Sequence, residues 1–341
     1  MKVENPTSRD IADIAGVSQA TVSRALRNSP LVRPETRERI QKIARELNYF
    51  VNRNAAGLRT HQSNTIALLM FDETGGDAAQ INPFFLSMLG YITTCAADLG
   101  YDVLVSMQQL TNDWHIEYQA SHRADGLILL GYGDYVSYRE KLDALADANT
   151  RFIIYGAFAA DQPGLSLGCD NVKGGRIATD HLLGLGRRRI AILGDTSQRH
   201  PEFALRRDGY AAALQEAGIE PDPTLELMAD NTEHDAYQAM RACLDSGIEF
   251  DGLFAVTDVL AIGALRALVD AGRRVPDDVS IVGFDDLPRA AYVNPPLTTI
   301  QQNIREAGEG LVKTIVGLIE GDDVESSRLD PKLIVRQSCG A

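Results

Sequence analysis

Residues 7–26 read TSRDIADIAGVSQATVSRAL and hold two short amphipathic helical patterns joined by Gly16, Val17 and Ser18. Thr7 followed by Asp10 three residues on is a helix start, and Ile11, Ile14 and Ala15 recur at i, i+3 and i+4, which predicts a packed stripe. Gly16 stands where the chain must turn through positive φ. Ser18 is placed to cap the second helix, whose inward positions are Val22, Ala25 and Leu26. A third pattern opens at Pro34, favourable in a first helical turn, and runs through Ile40, Ile43, Ala44 and Leu47. Three helices of this size can close one small core over residues 1–50, a helix-turn-helix unit. Gln19, Ala20, Thr21, Ser23 and Arg24 are left on the outer face near the N-terminal end of the second helix. They are short polar or donor-bearing groups able to meet base edges in a major groove, and Arg24 can also meet phosphate.

Two helices around a glycine also occur in enzymes, and charge separates the readings. Residues 1–62 contain 11 Lys and Arg against 6 Asp and Glu, a net +5, which leaves −19 for the rest of a chain whose total is −14. A basic head on an acidic body favours contact with a polyanion through the head alone.

At 341 residues and 45% hydrophobic, the chain can bury large cores and divides into two or three domains. No apolar run reaches the roughly 18 residues that span a bilayer and no apolar secretory segment opens the chain, so a soluble cytoplasmic protein with no membrane partner is expected. Cys95, Cys169, Cys243 and Cys339 lie far apart with no CxxC, which predicts reduced thiols. His61, His115, His122, His181, His200 and His234 form no metal spacing, and GxxxxGK[ST], GxGxxG and HExxH are all missing from the sequence. Neither a metal, a cofactor nor catalysis is expected. A solute-binding protein for uptake would share an α/β body but would have no use for the basic head.

Residues 51–63 are too short for a core of their own. Asn52 can cap a brief helix over 53–59, but Gly57 lowers its stability by up to about 1 kcal/mol relative to Ala, and so short a helix is marginal alone. Two readings stay open: a segment that orders against DNA and a second copy with Leu58 wedged at the minor groove, or a plain linker with Leu58 covering the body. From residue 64 apolar strands alternate with helices, with strands expected at Thr65–Phe71, Tyr101–Ser106, Gly126–Leu130, Arg151–Tyr155, Arg189–Leu193, Gly252–Val256 and Val279–Phe284. This α/β pattern predicts two doubly wound parallel sheets, with ligands held beyond the carboxyl ends of the strands. Polar residues gather there: Asp72, Asp170 with Asn171, Thr257 with Asp258, and Asp285 with Asp286. Phe84 and Phe85 in NPFF and Arg206 in RRDGY complete a set able to hold a polyhydroxylated ligand, with charged groups on its hydroxyls and rings on its apolar face. Each member has a competitor: the phenylalanines as core, Asp170 and Asp258 as helix caps, and Arg206 in a surface pair with Asp208 or Glu202.

The segments GVSQATVSRAL, TRERIQKIARELNY, VNRNAAGLR, NPFF, RADGLIL, DNVKGG, HLLGLGRRRIAIL, RRDGY, VPDDVSIVGFDD and PPLTTIQQ run in order along nearly the whole chain. Together they resemble the lactose-repressor (LacI/GalR-type) family of bacterial transcription regulators. The resemblance implies a homodimer whose two heads bind double-stranded operator DNA and whose periplasmic-binding-protein-like core, residues 64–341, closes on a small effector. It implies lobes at about 64–166 with 302–327 and 167–301 with 328–341. Ser18, Gln19, Ala20, Thr21, Ser23 and Arg24 match the family's recognition region, Thr36 and Tyr49 its phosphate contacts, and Asn52, Ala55 and Leu58 its hinge helix. Asp72, Phe84, Phe85, Asp170, Arg206, Thr257, Asp258, Asp285 and Gln302 fall on or beside positions that line its effector pocket. A sugar or oligosaccharide inducer is the first expectation, and a nucleobase corepressor or an activator is the alternative. Thr257 stands where the family often has Asn, and the tail LIVRQSCGA carries no heptad segment.

Overall fold

The structure, a computed structural model, describes residues 6–49, 62–71, 81–108, 118, 121–131, 135–158 and 162–341. Asn52, Ala55, Leu58 and Asp72 lie outside the described residues. The chain divides into two units, Met1–Ser63 and Asn64–Ala341.

In the first unit α1 spans Ser8–Ala15, α2 Gln19–Leu26 and α3 Pro34–Glu46. Thr7 and Asp10 form the reciprocal cap at the start of α1, and Gly16 ends that helix at φ 63° with its N–H on the carbonyls of Ala12 and Asp13. Ser18 caps α2 by accepting from Thr21 N–H. The core consists of Ile11, Ala12, Ala15, Val22, Ala25, Val32, Ile40 and Ala44, with Leu26, Ile43, Leu47 and Tyr49 packed against it. One expectation fails: Ile14 is 56% exposed, and Ala12 takes the buried place instead. The two flanking helices meet α1 on the side of Ile11, Ala12 and Ala15, so the buried stripe runs i, i+1, i+4. Arg39 then ties α3 to the end of α1 by donating to the Ala15 carbonyl at 3.0 Å.

The second unit holds two six-stranded sheets. The first is built from β1 (Thr65–Phe71), β2 (Asp102–Gln108), β3 (Gly126–Leu130), β4 (Phe152–Tyr155) and β5 (Leu165–Cys169), and α4 (Pro83–Asp98) and α5 (Tyr135–Asp147) connect its early strands. The chain crosses through Asp170 into α6 (Asn171–Gly184) and builds the second sheet from β6 (Ile190–Leu193), β7 (Glu226–Leu227), β8 (Gly252–Ala255), β9 (Ser280–Asp285) and β10 (Thr298–Gln301). Its helices are α7 (Pro201–Glu216), α8 (Glu233–Asp245) and α9 (Asp258–Asp270). It returns through Gln302 to α10 (Ile304–Glu320), packed in the first core, adds β11 (Ser327–Leu329) to the first sheet and finishes with β12 (Lys332–Ile334) on the second. The orders β2-β1-β3-β4-β5-β11 and β7-β6-β8-β9-β10-β12 repeat one doubly wound plan, parallel except for the β10–β12 pair. Leu167–Cys169 and Arg328–Leu329 therefore belong to the first sheet, and the expected lobe boundaries shift by two or three residues. β5 runs on to Cys169 because Gly168 lets its backbone approach β4, where a Cβ would meet the Gly156 carbonyl oxygen at 2.0 Å. Among the described residues no helix is long and apolar enough to cross a membrane, and the four cysteines are free and buried.

The contact of α6 with α7 fixes the place of Arg206 in the second unit. A Cβ on Gly175 would lie 2.0 Å from the Arg206 carbonyl oxygen, and one on Gly209 would lie 2.1 Å from that of Val172. The helices touch backbone to backbone, and no larger residue fits without separating them. Gly175→Ala is expected to cost roughly 1–3 kcal/mol by overpacking, read as a lowered urea midpoint. A midpoint equal to the parent's would mean that the helices are free to part.

Candidate functional site

On the head, the N-terminal end of α2 presents Ser18, Gln19, Ala20 and Arg24 as exposed residues, with Thr21 and Ser23 half-exposed. Ser18 Oγ lies 2.9 Å from Thr21 Oγ1 and 3.2 Å from its amide, and Gln19 Nε2 donates to Ser8 Oγ at 2.7 Å. The polar ends are thus held in order, with Ala20 exposed between them. Thr36 sits in the first turn of α3 and Tyr49 just beyond its end, half-buried, with its amide on the Ala44 carbonyl at 2.8 Å. Ten residues of helical rise, about 15 Å, separate Thr36 from Glu46 at the end of the helix.

In the body, strand ends and helix starts converge on Arg206, which is 4% exposed. Its Nε donates to Asn171 Oδ1 at 2.9 Å and its Nη1 to the Val256 carbonyl, while Nη1 lies 3.9 Å from Asp285 Oδ1. The guanidinium lies over the Phe284 ring at 3.7 Å from the centroid, a cation–π contact in a desolvated setting. Gly174 makes room for that ring, since a Cβ there would meet it at 2.6 Å. Gln302 donates to Asp285 Oδ1 at 2.7 Å and accepts from the Tyr155 hydroxyl at 2.7 Å. Tyr155 in turn meets Phe84 and Phe85, with ring centroids 5.6 and 6.2 Å away. A guanidinium, a carboxylate, an amide, a phenol and two rings therefore form one continuous chain across both sheets.

Burial governs the electrostatics here. It pushes the Asp285 carboxyl up to about 6 against the opposing pull of Arg206 and Gln302, and the Cys169 thiol up to about 12. Burial also raises Glu202, whose Oε1 accepts from the Ala157 N–H at 2.8 Å and so links α7 to the end of β4 in the first sheet.

Not every expected residue reaches this cluster. Asp258 is 0% exposed and spends Oδ2 on the Leu287 N–H and Oδ1 on the Thr299 hydroxyl, so it lies beneath the cleft floor and presents no carboxylate to a ligand. Burial and then Asp285 push its carboxyl well above the ordinary range. Thr257 caps α9 and donates to Asn231 Oδ1 at 2.7 Å. Asp170 caps α6 through the Lys173 amide. Phe84 is 3% exposed and belongs to the core, whereas Phe85 is half-buried. The surface pair offered for Arg206 is overturned by its burial, and Arg207 makes that kind of contact, with Glu226 at 2.7 Å. Tyr155, Phe284 and Glu202 were missed as members of the cluster. The tyrosine ends a strand and the phenylalanine sits inside one, so local pattern assigns both to the core. The glycine pair in DNVKGG was the one available hint that something large packs against α6.

Comparisons with known proteins cover both units of the chain. The model for bacterial regulatory proteins of the lacI family matches residues 7–52, and that for a periplasmic binding protein-like domain matches residues 179–339. The HTH-type transcriptional regulator CelR of Thermobifida fusca is 32% identical over 340 residues, 98% of either chain. The ribose operon repressor of Escherichia coli (strain K12) is 29% identical over 339 residues, covering 97% of this chain and 99% of the repressor. Among solved structures, a CelR–cellobiose complex aligns with TM-score 0.72 at 31% identity, over 98% of this chain and 99% of its own. The lac repressor dimer bound to operator and the anti-inducer ONPF aligns with TM-score 0.85 at 28% identity, over 99% of this chain and 100% of its own.

The Asp285 carboxyl carries a test in its titration. The folded chain keeps a proton up to about 6 where the unfolded chain releases it near the ordinary 3.8. Bound protons are thus more numerous in the native state between those values, and stability falls as pH rises through that window and is level above it. Asp285→Asn removes this dependence. The unfolding free energy of the variant relative to the parent is expected to improve by roughly 3 kcal/mol or less between pH 4 and 7, and a difference that stays constant in urea titrations across that range would contradict it.

Proposed function

The chain belongs to the lacI family of bacterial regulatory proteins, and on that premise we propose that a saccharide held between its two lobes sets its grip on operator DNA. The protein is a DNA-binding transcription regulator. The observation that carries the saccharide reading is the buried Arg206 with Asp285 and Gln302 beside it and the Phe85 ring at the edge of the same cluster. Arg206 supplies donors and Asp285 an acceptor for sugar hydroxyls, and Phe85 an apolar face for a pyranose ring. A relative similar along nearly its whole length was solved with cellobiose, which makes a disaccharide the first ligand to try.

The proposed mechanism is linkage. Two copies hold their heads at a spacing set by the body, and the effector prefers one arrangement of the lobes. Residues 51–63 convey that arrangement to the heads, with Asn52, Ala55 and Leu58 ordered at the minor groove in the DNA-bound form. A tenfold change in operator affinity requires a preference of about 1.4 kcal/mol for one arrangement, and operator changes effector affinity by the same factor. We read the cleft as binding without turnover, since the relatives that match the chain along nearly its whole length are transcription regulators.

A thermal-shift screen of mono- and disaccharides beginning with cellobiose, each hit retested for its effect on binding to a selected operator, tests the reading. It fails if no saccharide alters both melting temperature and operator affinity. Arg24→Ala should weaken specific operator binding by roughly 1–3 kcal/mol while saccharide affinity of the free protein stays the same, as fluorescence anisotropy and calorimetry would report. Arg206→Ala should abolish the saccharide response. A normal response in that variant would mean the ligand sits elsewhere.

A further inference from the structure

Asp285 and Asp286 are consecutive non-glycine residues at φ 116° and 55°. Such a pair persists only where its surroundings hold both residues in place. Asp285 is restrained on the ligand side by Gln302 and Arg206. Asp286 is restrained from the other end of the sequence: its Oδ1 accepts from Arg336 Nη2 at 2.6 Å, its Oδ2 from Gln301 Nε2 at 2.8 Å, and its amide donates to Thr299 Oγ1 at 3.4 Å.

Arg336 is itself anchored. Its Nη1 donates to the Leu297 carbonyl at 2.9 Å and its amide to Thr298 Oγ1 at 2.8 Å. The turn after it is tied down by Ser338, whose Oγ accepts from the Thr298 amide and donates to the Ile281 carbonyl. The Arg336–Asp286 pair is largely out of water, with side chains 20% and 13% exposed, so its geometry is held more firmly than that of a surface pair. Charge points the same way. Asp285 and Asp286 both raise the Asp258 carboxyl at the end of β9, and the cations against these acids are Arg206 on one side and Arg336 on the other. With Arg336 removed, Asp286 loses its strongest restraint.

We propose that Arg336 is a positioning residue for the effector site: by holding Asp286 it keeps Asp285 in its left-handed backbone conformation, with the carboxylate aimed at the saccharide's hydroxyls. The inference rests on the reading of the cleft as a saccharide site, and it makes the last turn of the chain part of that site's frame.

The deciding measurement needs no ligand. In a crystal structure of the full-length Arg336→Met variant, Asp285 is expected to leave the positive-φ region and to lose its bond to Gln302. Retention of both features overturns the proposal. Asp286→Asn removes the same ion pair from the other partner and gives a second structure should the first variant fail to fold. Binding adds a functional readout, with cellobiose as probe or whichever saccharide the screen returns in its place. Arg336→Met should weaken binding at least tenfold, Arg336→Lys should recover part of the loss, and Arg336→Met should add nothing in an Asp285→Asn background. A full further loss in that background overturns the positioning role. Undiminished binding by Asp285→Asn alone overturns the reading of the cleft instead, and the crystal structure still decides what Arg336 does.

Discussion

A guanidinium taken out of water is costly unless its donors and its charge are both answered, and the body of this protein is organised around answering one. Arg206 finds an amide oxygen on α6, a carbonyl beyond β8, a carboxylate at the end of β9 and an aromatic face inside β9. None of these can be met unless α6 and α7 touch at Gly175 and Gly209, and unless the Phe284 ring slips past Gly174. The same requirement drives the acids. Asp285 must be near enough to neutralise Arg206, which buries it and raises its carboxyl to about 6.

The chain keeps its two electrostatic tasks apart. The head carries +5 and the rest −19, so phosphate attraction is confined to one unit while the body repels the same polyanion. Specific DNA binding then depends on salt through the head alone. On the proposed mechanism, separation of this kind lets a small ligand act by spacing two heads without itself touching DNA.

Much of the head could be read directly, because capping and turning are local events. Thr7, Gly16, Ser18 and Pro34 act within three or four residues of themselves, and each does what its chemistry predicts. Ile14 could not be placed that way: which side of an eight-residue helix is buried depends on where its neighbours cross it. In the body the long apolar strands were legible and the short ones were not. The polar run Thr298–Gln301, the two-residue β7, and β11 and β12 exist because a partner strand is already in place, and nothing in their own composition demands it.

Taken alone, the sequence determined a basic three-helix head, a two-sheet α/β body, and Arg206 and Asp285 as residues worth attention, since residue type and spacing carry that information, and its resemblance to a family added Gln302. Tertiary structure decided how those residues are used. It sent Asp258 under the floor, left Thr257 and Asp170 as caps, brought in Tyr155 and Phe284, and placed Arg336 of the final segment behind Asp285. The physical reason is that a buried charge chooses its partners by distance in space, and those partners come from segments dozens to hundreds of residues apart.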